Sequence, residues 1–200
     1  PVLNPIGDRS VEEMEMLTLV LSGRDQDGDD ITFSATGLPE GAVFDSRVWT
    51  FTWTPTFEQT GNYEVTFTVS DGILSDSETI TISVGNVNRP PVLELIGNRS
   101  VNENTELAFT IAASDPDVDE LEFLARNLPA GAEFDEDTKS FRWTPTSDQS
   151  GNYEVKFIVS DGTLYDSETI TLSVGNVNQP PVLEPIGNQT INEGGILKFD

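Results

Sequence analysis

The segment SGRDQDGDD at 22–30 holds four aspartates: Asp25, Asp27, Asp29 and Asp30. Ninety residues later, AASDPDVDE at 112–120 carries acids at the same offsets. Carboxylates at this spacing can ligate a hard cation through oxygen, or act as an acid–base pair on a glycoside. A plainer reading is a solvated turn, because aspartate favours turns and bonds its own backbone. Composition removes most other chemistry. The chain has no histidine and no cysteine, so the usual general base, the usual zinc ligands and any disulfide are excluded. Its 35 acidic residues against 10 basic ones give a formal charge of -25. Such a surface repels nucleic-acid phosphates and anionic membranes. No apolar run reaches the roughly 18 residues of a membrane-spanning helix. Enzymes rarely repeat an active site at regular spacing, so the recurrence argues for a binding role and against an enzyme.

The loops recur because the whole chain does. PVLNPIGDRSV from Pro1 returns as PVLELIGNRSV from Pro91 and as PVLEPIGNQTI from Pro181. FTWTPT at 51–56 returns as FRWTPT at 141–146, and GNYEVTFTVSDG from Gly61 as GNYEVKFIVSDG from Gly151. The expected organisation is therefore a repeat over 1–90, a second over 91–180, and the first strands of an incomplete third over 181–200. A unit of this length can bury a core of its own. Starting and stopping inside a repeating pattern is expected of a piece of a longer protein.

Within each unit the alternation is that of strands. Val65, Phe67 and Val69 alternate with Thr66 and Thr68, and Ile80, Ile82 and Val84 with Thr79, Thr81 and Ser83. This period of two marks half-buried strands. In the first repeat the pattern predicts strands near 8–13, 16–22, 31–36, 42–45, 48–54, 62–70 and 76–84. The fold expected is all-β, a tandem of seven-stranded Greek-key β-sandwiches. Trp53 and Trp143 belong in the core on this pattern, and Tyr63 and Tyr153 open a long strand where a tyrosine corner fits. Trp49 has lysine as its counterpart at position 139, so it is expected outside the core, as a lone aromatic for a sugar surface. The linkers GNVNRPPVLE and GNVNQPPVLE carry paired prolines that stiffen the chain. NRS at 98–100 and NQT at 188–190 have the N-glycosylation acceptor pattern. The final LKFD is expected to stop in mid-strand, as a stub or as a strand added to a neighbour.

VNEN at 101–104, ASDPDVDELEF at 113–123, LPAGAEFD at 128–135, FRWTPT, GNYEVKFIVSDG and NVNQPP together carry a resemblance. The unit resembles cadherin-like repeats, of the dystroglycan-type and "putative Ig" kinds found in bacterial and archaeal surface proteins. The resemblance implies an extracellular or cell-surface location and a role in adhesion or as a rigid spacer. The implied partners are calcium, other copies of the chain, and a surface protein or polysaccharide. A carbohydrate-binding module of a secreted protein is the alternative.

In cadherins calcium sits where successive repeats meet, so the resemblance also implies ligands. Glu13 and Glu103 match the glutamate near the first strand, and Asp25 with Asp27, and Asp115 with Asp117, match the paired aspartates of the loop. Asp71 and Asp161 match the aspartate of the neighbouring SDG loop, and Asn86 with Asn88, then Asn176 with Asn178, match the junction motif. Asparagine replaces the first acid of that motif, Arg89 and Gln179 fall near its second, and WTPT stands where further acids would be. One ion per junction is therefore expected, not three. Asp29 or Asp119 can add a third carboxylate, and calcium's tolerance of irregular oxygen shells suits the set better than magnesium's rigid octahedron. The expected outcome is one well-formed site at the junction of the two repeats, with Asn86, Asn88 and Glu13 or Asp71 on one side and Asp115, Asp117 and Asp161 on the other, and a weaker, open one on the first repeat at Asp25, Asp27 and Asp71.

Overall fold

The computed structural model describes every residue except Ile186, Gln189, Leu197, Phe199 and Asp200. The chain divides into two compact units, Pro1–Arg89 and Pro90–Asp200. No helix occurs among the described residues, which are strands, turns and connecting segments.

Unit 1 runs β1 (Val2–Leu3), β2 (Arg9–Glu12), β3 (Leu17–Val20), β4 (Gly23–Arg24), β5 (Thr32–Thr36), β6 (Val43–Asp45), β7 (Thr50–Trp53), β8 (Gly61–Ser70) and β9 (Ser75–Gly85). Unit 2 repeats them as β10 (Val92–Leu93), β11 (Arg99–Asn102), β12 (Leu107–Thr110), β13 (Ala113–Ser114), β14 (Glu122–Arg126), β15 (Glu133–Asp135), β16 (Ser140–Trp143), β17 (Gly151–Ser160) and β18 (Tyr165–Gly175). In each unit a four-stranded sheet, β2-β9-β8-β5 or β11-β18-β17-β14, faces a three-stranded one, β3-β7-β6 or β12-β16-β15. β2 joins β9 and β11 joins β18 in parallel, and the other pairs are antiparallel. The seven-stranded β-sandwich expected from the alternation is what forms. Two strands in each unit escaped it: β1 and β4 form a separate two-residue ribbon, as do β10 and β13. A two-residue pairing is too short to show a period.

The inward-facing residues of both sheets meet in one core per unit. Phe51, Val65, Phe67, Val69 and Ile82 are fully buried, as are Phe141, Val155, Phe157, Val159 and Leu172 in unit 2. Trp53 and Trp143 sit among them with 1% of their surface exposed. Each indole packs edge-on against a tyrosine, Tyr63 at 4.8 Å and Tyr153 at 5.0 Å, the geometry that the ring quadrupoles favour. The polar indole edge is also satisfied. Trp53 Nε1 donates to the Glu40 carbonyl at 3.1 Å, and Trp143 Nε1 to that of Ala130 at 3.2 Å. The Tyr153 hydroxyl donates to the Gln149 carbonyl at 3.1 Å, closing a corner four residues back.

Positions 49 and 139 solve one problem by two means. Both have φ of 57°, and each covers the ring of a buried phenylalanine. The Trp49 ring lies 4.9 Å from that of Phe33, while Lys139 Nζ sits 4.6 Å over Phe123. Trp49 is still 39% exposed.

The first segment of each unit crosses between the sheets with few ladder partners, and carboxylates of β9 and β18 hold it. Leu3 N–H donates to Asp76 Oδ2 at 2.8 Å, and Ile6 and Gly7 N–H donate to the two oxygens of Glu78. Leu93, Ile96 and Gly97 bond Asp166 and Glu168 in the same way. Asn98, the first residue of the NRS pattern, accepts from Thr171 N–H at 2.8 Å. No described residue of 181–198 lies in a strand, and three residues of the LKFD end, Leu197, Phe199 and Asp200, are outside the described set. Replacing Trp143 by alanine empties the largest buried volume of unit 2 and removes one of the two donors to the Ala130 carbonyl, the other being Gln149 Nε2 at 3.0 Å. The expected loss is about 3–5 kcal/mol, measured by urea unfolding.

Candidate metal centre

The acidic loop of each unit starts where the small ribbon ends. Val92 faces Ser114 in the β10–β13 register, so Pro91 stands opposite Asp115. Val2 faces Arg24, which sets Pro1 opposite Asp25. The leading aspartate then shapes the loop with one oxygen. Asp115 Oδ1 accepts from Asp117 N–H at 2.7 Å and Asp119 N–H at 3.3 Å, and Asp25 Oδ1 does so from Asp27 and Asp29 at 2.8 and 3.3 Å. Such a turn aims the remaining carboxylates to one side. Asp115, Asp117 and Asp119 each place an oxygen within 4.8 Å of the others. The middle of the loop is under strain in unit 2. Gly28 has φ of 84° in unit 1, while its counterpart Val118 holds 65°, a region costly for a β-branched residue.

The second oxygen of the leading aspartate separates the units. Asp115 Oδ2 is buried and meets no hydrogen-bond donor among the described residues. The residue opposite is proline, whose imide nitrogen carries no hydrogen. In unit 1 the same nitrogen is the α-amino group of Pro1, a cation. It lies 2.9 Å from Asp25 Oδ2 and 3.9 Å from Asp71 Oδ2. Chemically the loop of unit 2 can hold a hard cation through oxygen, since a buried acceptor without a donor calls for a positive partner.

Asp71 and Asp161 lie in the turns of the β8–β9 and β17–β18 hairpins, and Asp161 is not among the carboxylates that cluster within 4.8 Å. Asp71 Oδ1 accepts from Ile73 and Leu74 N–H, both at 2.7 Å. Asp161 Oδ1 accepts from Thr163 N–H, Thr163 Oγ1 and Leu164 N–H at 2.7, 2.9 and 2.6 Å. These bonds fix each hairpin aspartate through Oδ1. The Leu74 and Ile73 N–H groups also hold the Asp71 carboxyl below its ordinary range.

Within unit 2, Glu103 and Asp161 stand at opposite ends of the sheet. Glu103 follows β11, where its N–H bonds the Gly175 carbonyl at the end of β18, while Asp161 precedes the start of that strand. A strand of this length spans about 33 Å, so within unit 2 the two are at opposite ends. Glu13 is 2% exposed; its Oε1 accepts from the Thr60 hydroxyl and its Oε2 from Val87 N–H at 2.9 Å. It therefore holds the segment in which Val87 is flanked by Asn86 and Asn88. Glu103 Oε2 takes Val177 N–H at 2.9 Å, and its Oε1 is buried with no donor among the described residues. Sequence reasoning missed Pro91 altogether. The proline recurs at 1, 91 and 181, but only strand register sets it against the aspartate.

The Pro1 ammonium, with the Asp27 and Asp29 N–H groups, lowers the Asp25 carboxyl from 3.8 to about 2. A depressed acid stabilises the fold above its unfolded value. The contribution is complete above 3.8 and is lost as pH falls through about 2. NMR titration of the Asp25 carboxyl should therefore give a midpoint near 2, and acetylating the Pro1 amine should raise it.

With this geometry in hand, comparison with known proteins places the chain. Human protocadherin-24, in the crystal structure of its EC1-2 region, superposes with a TM-score of 0.59 at 16% identity, covering 88% of this chain and 98% of that one. That likeness is one of fold. Chitinase A of Pseudoalteromonas piscicida is 28% identical over 120 residues, which are 58% of this chain and 15% of the relative. Integrin beta-like protein A of Dictyostelium discoideum is 29% identical over 178 residues, 74% of this chain and 9% of the relative. The chain thus spans a small part of the length of these relatives. The family model described as "Putative Ig domain" matches residues 1–85 and again 90–175. On that double match the chain belongs to the Putative Ig domain family, of which it carries two tandem copies.

Proposed function

We propose that this chain is a tandem module of an extracellular or cell-surface protein, in which calcium bound by the acidic loop braces the repeat. The module acts in adhesion or as a rigid spacer, and is not an enzyme. The observation that carries the reading is Asp115 Oδ2, buried without a donor beside two further carboxylates. Asp115, Asp117, Asp119 and Asp161 supply the principal ligands in unit 2, and Asp25, Asp27 and Asp71 their weaker counterparts in unit 1. Calcium suits the site because it accepts irregular shells of six to eight oxygens, whereas magnesium retains its waters.

Glu13, Glu103, Asn86 and Asn88 enter the reading through the resemblance to cadherins. For Glu13 the bonds to Thr60 and Val87 favour positioning of the asparagine-bearing segment over direct ligation. Partners in adhesion are other copies of the chain, a surface protein or a polysaccharide.

Calorimetry and thermal unfolding with calcium, magnesium and chelator test the proposal. The wild type should bind calcium with a dissociation constant on the order of 10⁻⁴–10⁻³ M. At a hundredfold excess over that constant it should gain about 2.7 kcal/mol. Asp115→Asn/Asp117→Asn should lose both effects, and equal calcium binding by wild type and variant would sink the reading.

A second reading, carbohydrate binding, is favoured by one exposed ring. Trp49 is 39% exposed, and a chitinase is among the relatives. Retention of the chain on insoluble chitin, reduced by Trp49→Ala, supports that reading. Absence of retention removes it.

A further inference from the structure

Unit 2 carries a depression of about 490 Å³ beside β14 that calcium binding does not use. Its apolar lining is Leu121, Phe123, Leu124 and Ile158. Four acids, Glu120, Glu122, Glu136 and Asp137, surround this floor, and all four are exposed. Among the described residues β14 is the terminal strand of its sheet and pairs only with β17, while β15 ends the facing sheet. Alternate backbone N–H and C=O groups along the outer edge of β14 therefore lack a ladder partner.

The repeat supplies an internal control. Where unit 2 has Glu122, Leu124, Glu136, Asp137 and Ile158, unit 1 has Thr32, Ser34, Ser46, Arg47 and Thr68. Ile31 and Phe33 keep the apolar residues of positions 121 and 123, and Asp30 keeps the acid of position 120. Leu124 and Ile158 are cross-strand partners, as Ser34 and Thr68 are, so a hydroxyl pair in one unit is an aliphatic pair in the other. The flanking strand is otherwise nearly the same, GNYEVKFIVSDG against GNYEVTFTVSDG. At the far end of β14, Arg126 pairs with Lys156 across the strands, which confines the acidic surface to the first half of β14.

We propose that this edge of unit 2 docks an extended basic segment of a partner, one alternating Lys or Arg with aliphatic residues, which adds to β14 as a further strand. The alternation follows from the strand itself. Glu122 and Leu124, with Ile158 across the strand, share one face of β14 and the buried Phe123 the other, while Glu120 and Leu121 lie just before the strand. An added strand sets its basic side chains on the first face, where they meet Glu122 and lay their aliphatic stems along Leu124 and Ile158, and its aliphatic ones on the second, beside Leu121. Glu136 and Asp137, just past β15, add charge to the same opening. Charge selects the occupant. A second copy of this chain, at -25, would be repelled.

The test uses the full chain and a fluorescent octapeptide of alternating Lys and Val, in chelator so that calcium plays no part. Anisotropy should show one saturable site per chain, weakened by salt. Glu122→Thr/Leu124→Ser/Ile158→Thr installs the residues of unit 1, which that unit folds with, and should weaken binding by about tenfold or more. The reverse graft, Thr32→Glu/Ser34→Leu/Ser46→Glu/Arg47→Asp/Thr68→Ile, should create a second site, and it decides the matter if the first variant unfolds. A peptide N-methylated at alternate residues should bind neither. No saturable binding, equal binding by the first variant when folded, no second site in the reverse graft, or equal binding of the methylated peptide overturns the proposal.

Discussion

Backbone N–H groups that the sheets leave over are captured by carboxylates, and much of each unit depends on that exchange. Asp76 and Glu78 hold the crossing segment of unit 1, as Asp166 and Glu168 hold that of unit 2. Glu13 and Glu103 hold the residues after the last strand. Asp25, Asp71, Asp115 and Asp161 shape their own turns. A buried donor without an acceptor is costly, so these acids stand in for ladder bonds that a proline-rich segment and tight loops cannot make. The strong acidity of the chain is therefore partly a structural property. It does not by itself mark a ligand.

The functional signal lies in what this exchange leaves unspent. A carboxylate has two oxygens, and in each loop one is consumed by turn formation. The other, on Asp115, has only a proline opposite it and no donor. An ordinary residue facing Asp115 would carry an N–H; an imide has none. Asp135 also caps its own turn, with Oδ1 taking Thr138 N–H at 2.8 Å, but it is exposed to water and leaves no buried oxygen without a donor.

Two copies of one fold in a single chain also separate what the fold requires from what one copy adds. Both copies keep the indole–tyrosine contact, the carboxylate clamps and the aspartate turns. They differ at the cover of one phenylalanine, where Trp49 and Lys139 reach the same ring by stacking and by cation–π attraction. They differ again along β5 and β14, where hydroxyl residues give way to acids and aliphatics. Neither difference disturbs the core, so both copies fold alike while presenting different surfaces.

From the sequence alone come the all-β class, the repeat, the core tryptophans and the identity of the acidic loops. The reason is that alternation and repetition are local properties of the chain, so Val65, Phe67 and Val69 declare their inward face without a partner strand. The ribbons β1–β4 and β10–β13 were not legible, because two paired residues carry no period and are defined only by the strand they meet. The same holds for the site. The sequence supplies Asp115, Asp117, Asp119 and Asp161 as candidates, and cannot tell a carboxylate that caps its own turn from one left without a donor. Tertiary structure decided that by setting Pro91 against Asp115 and by placing Glu103 at the other end of β18 from Asp161. Register and burial depend on residues distant along the chain, and they determine which oxygen has its hydrogen bond and which does not.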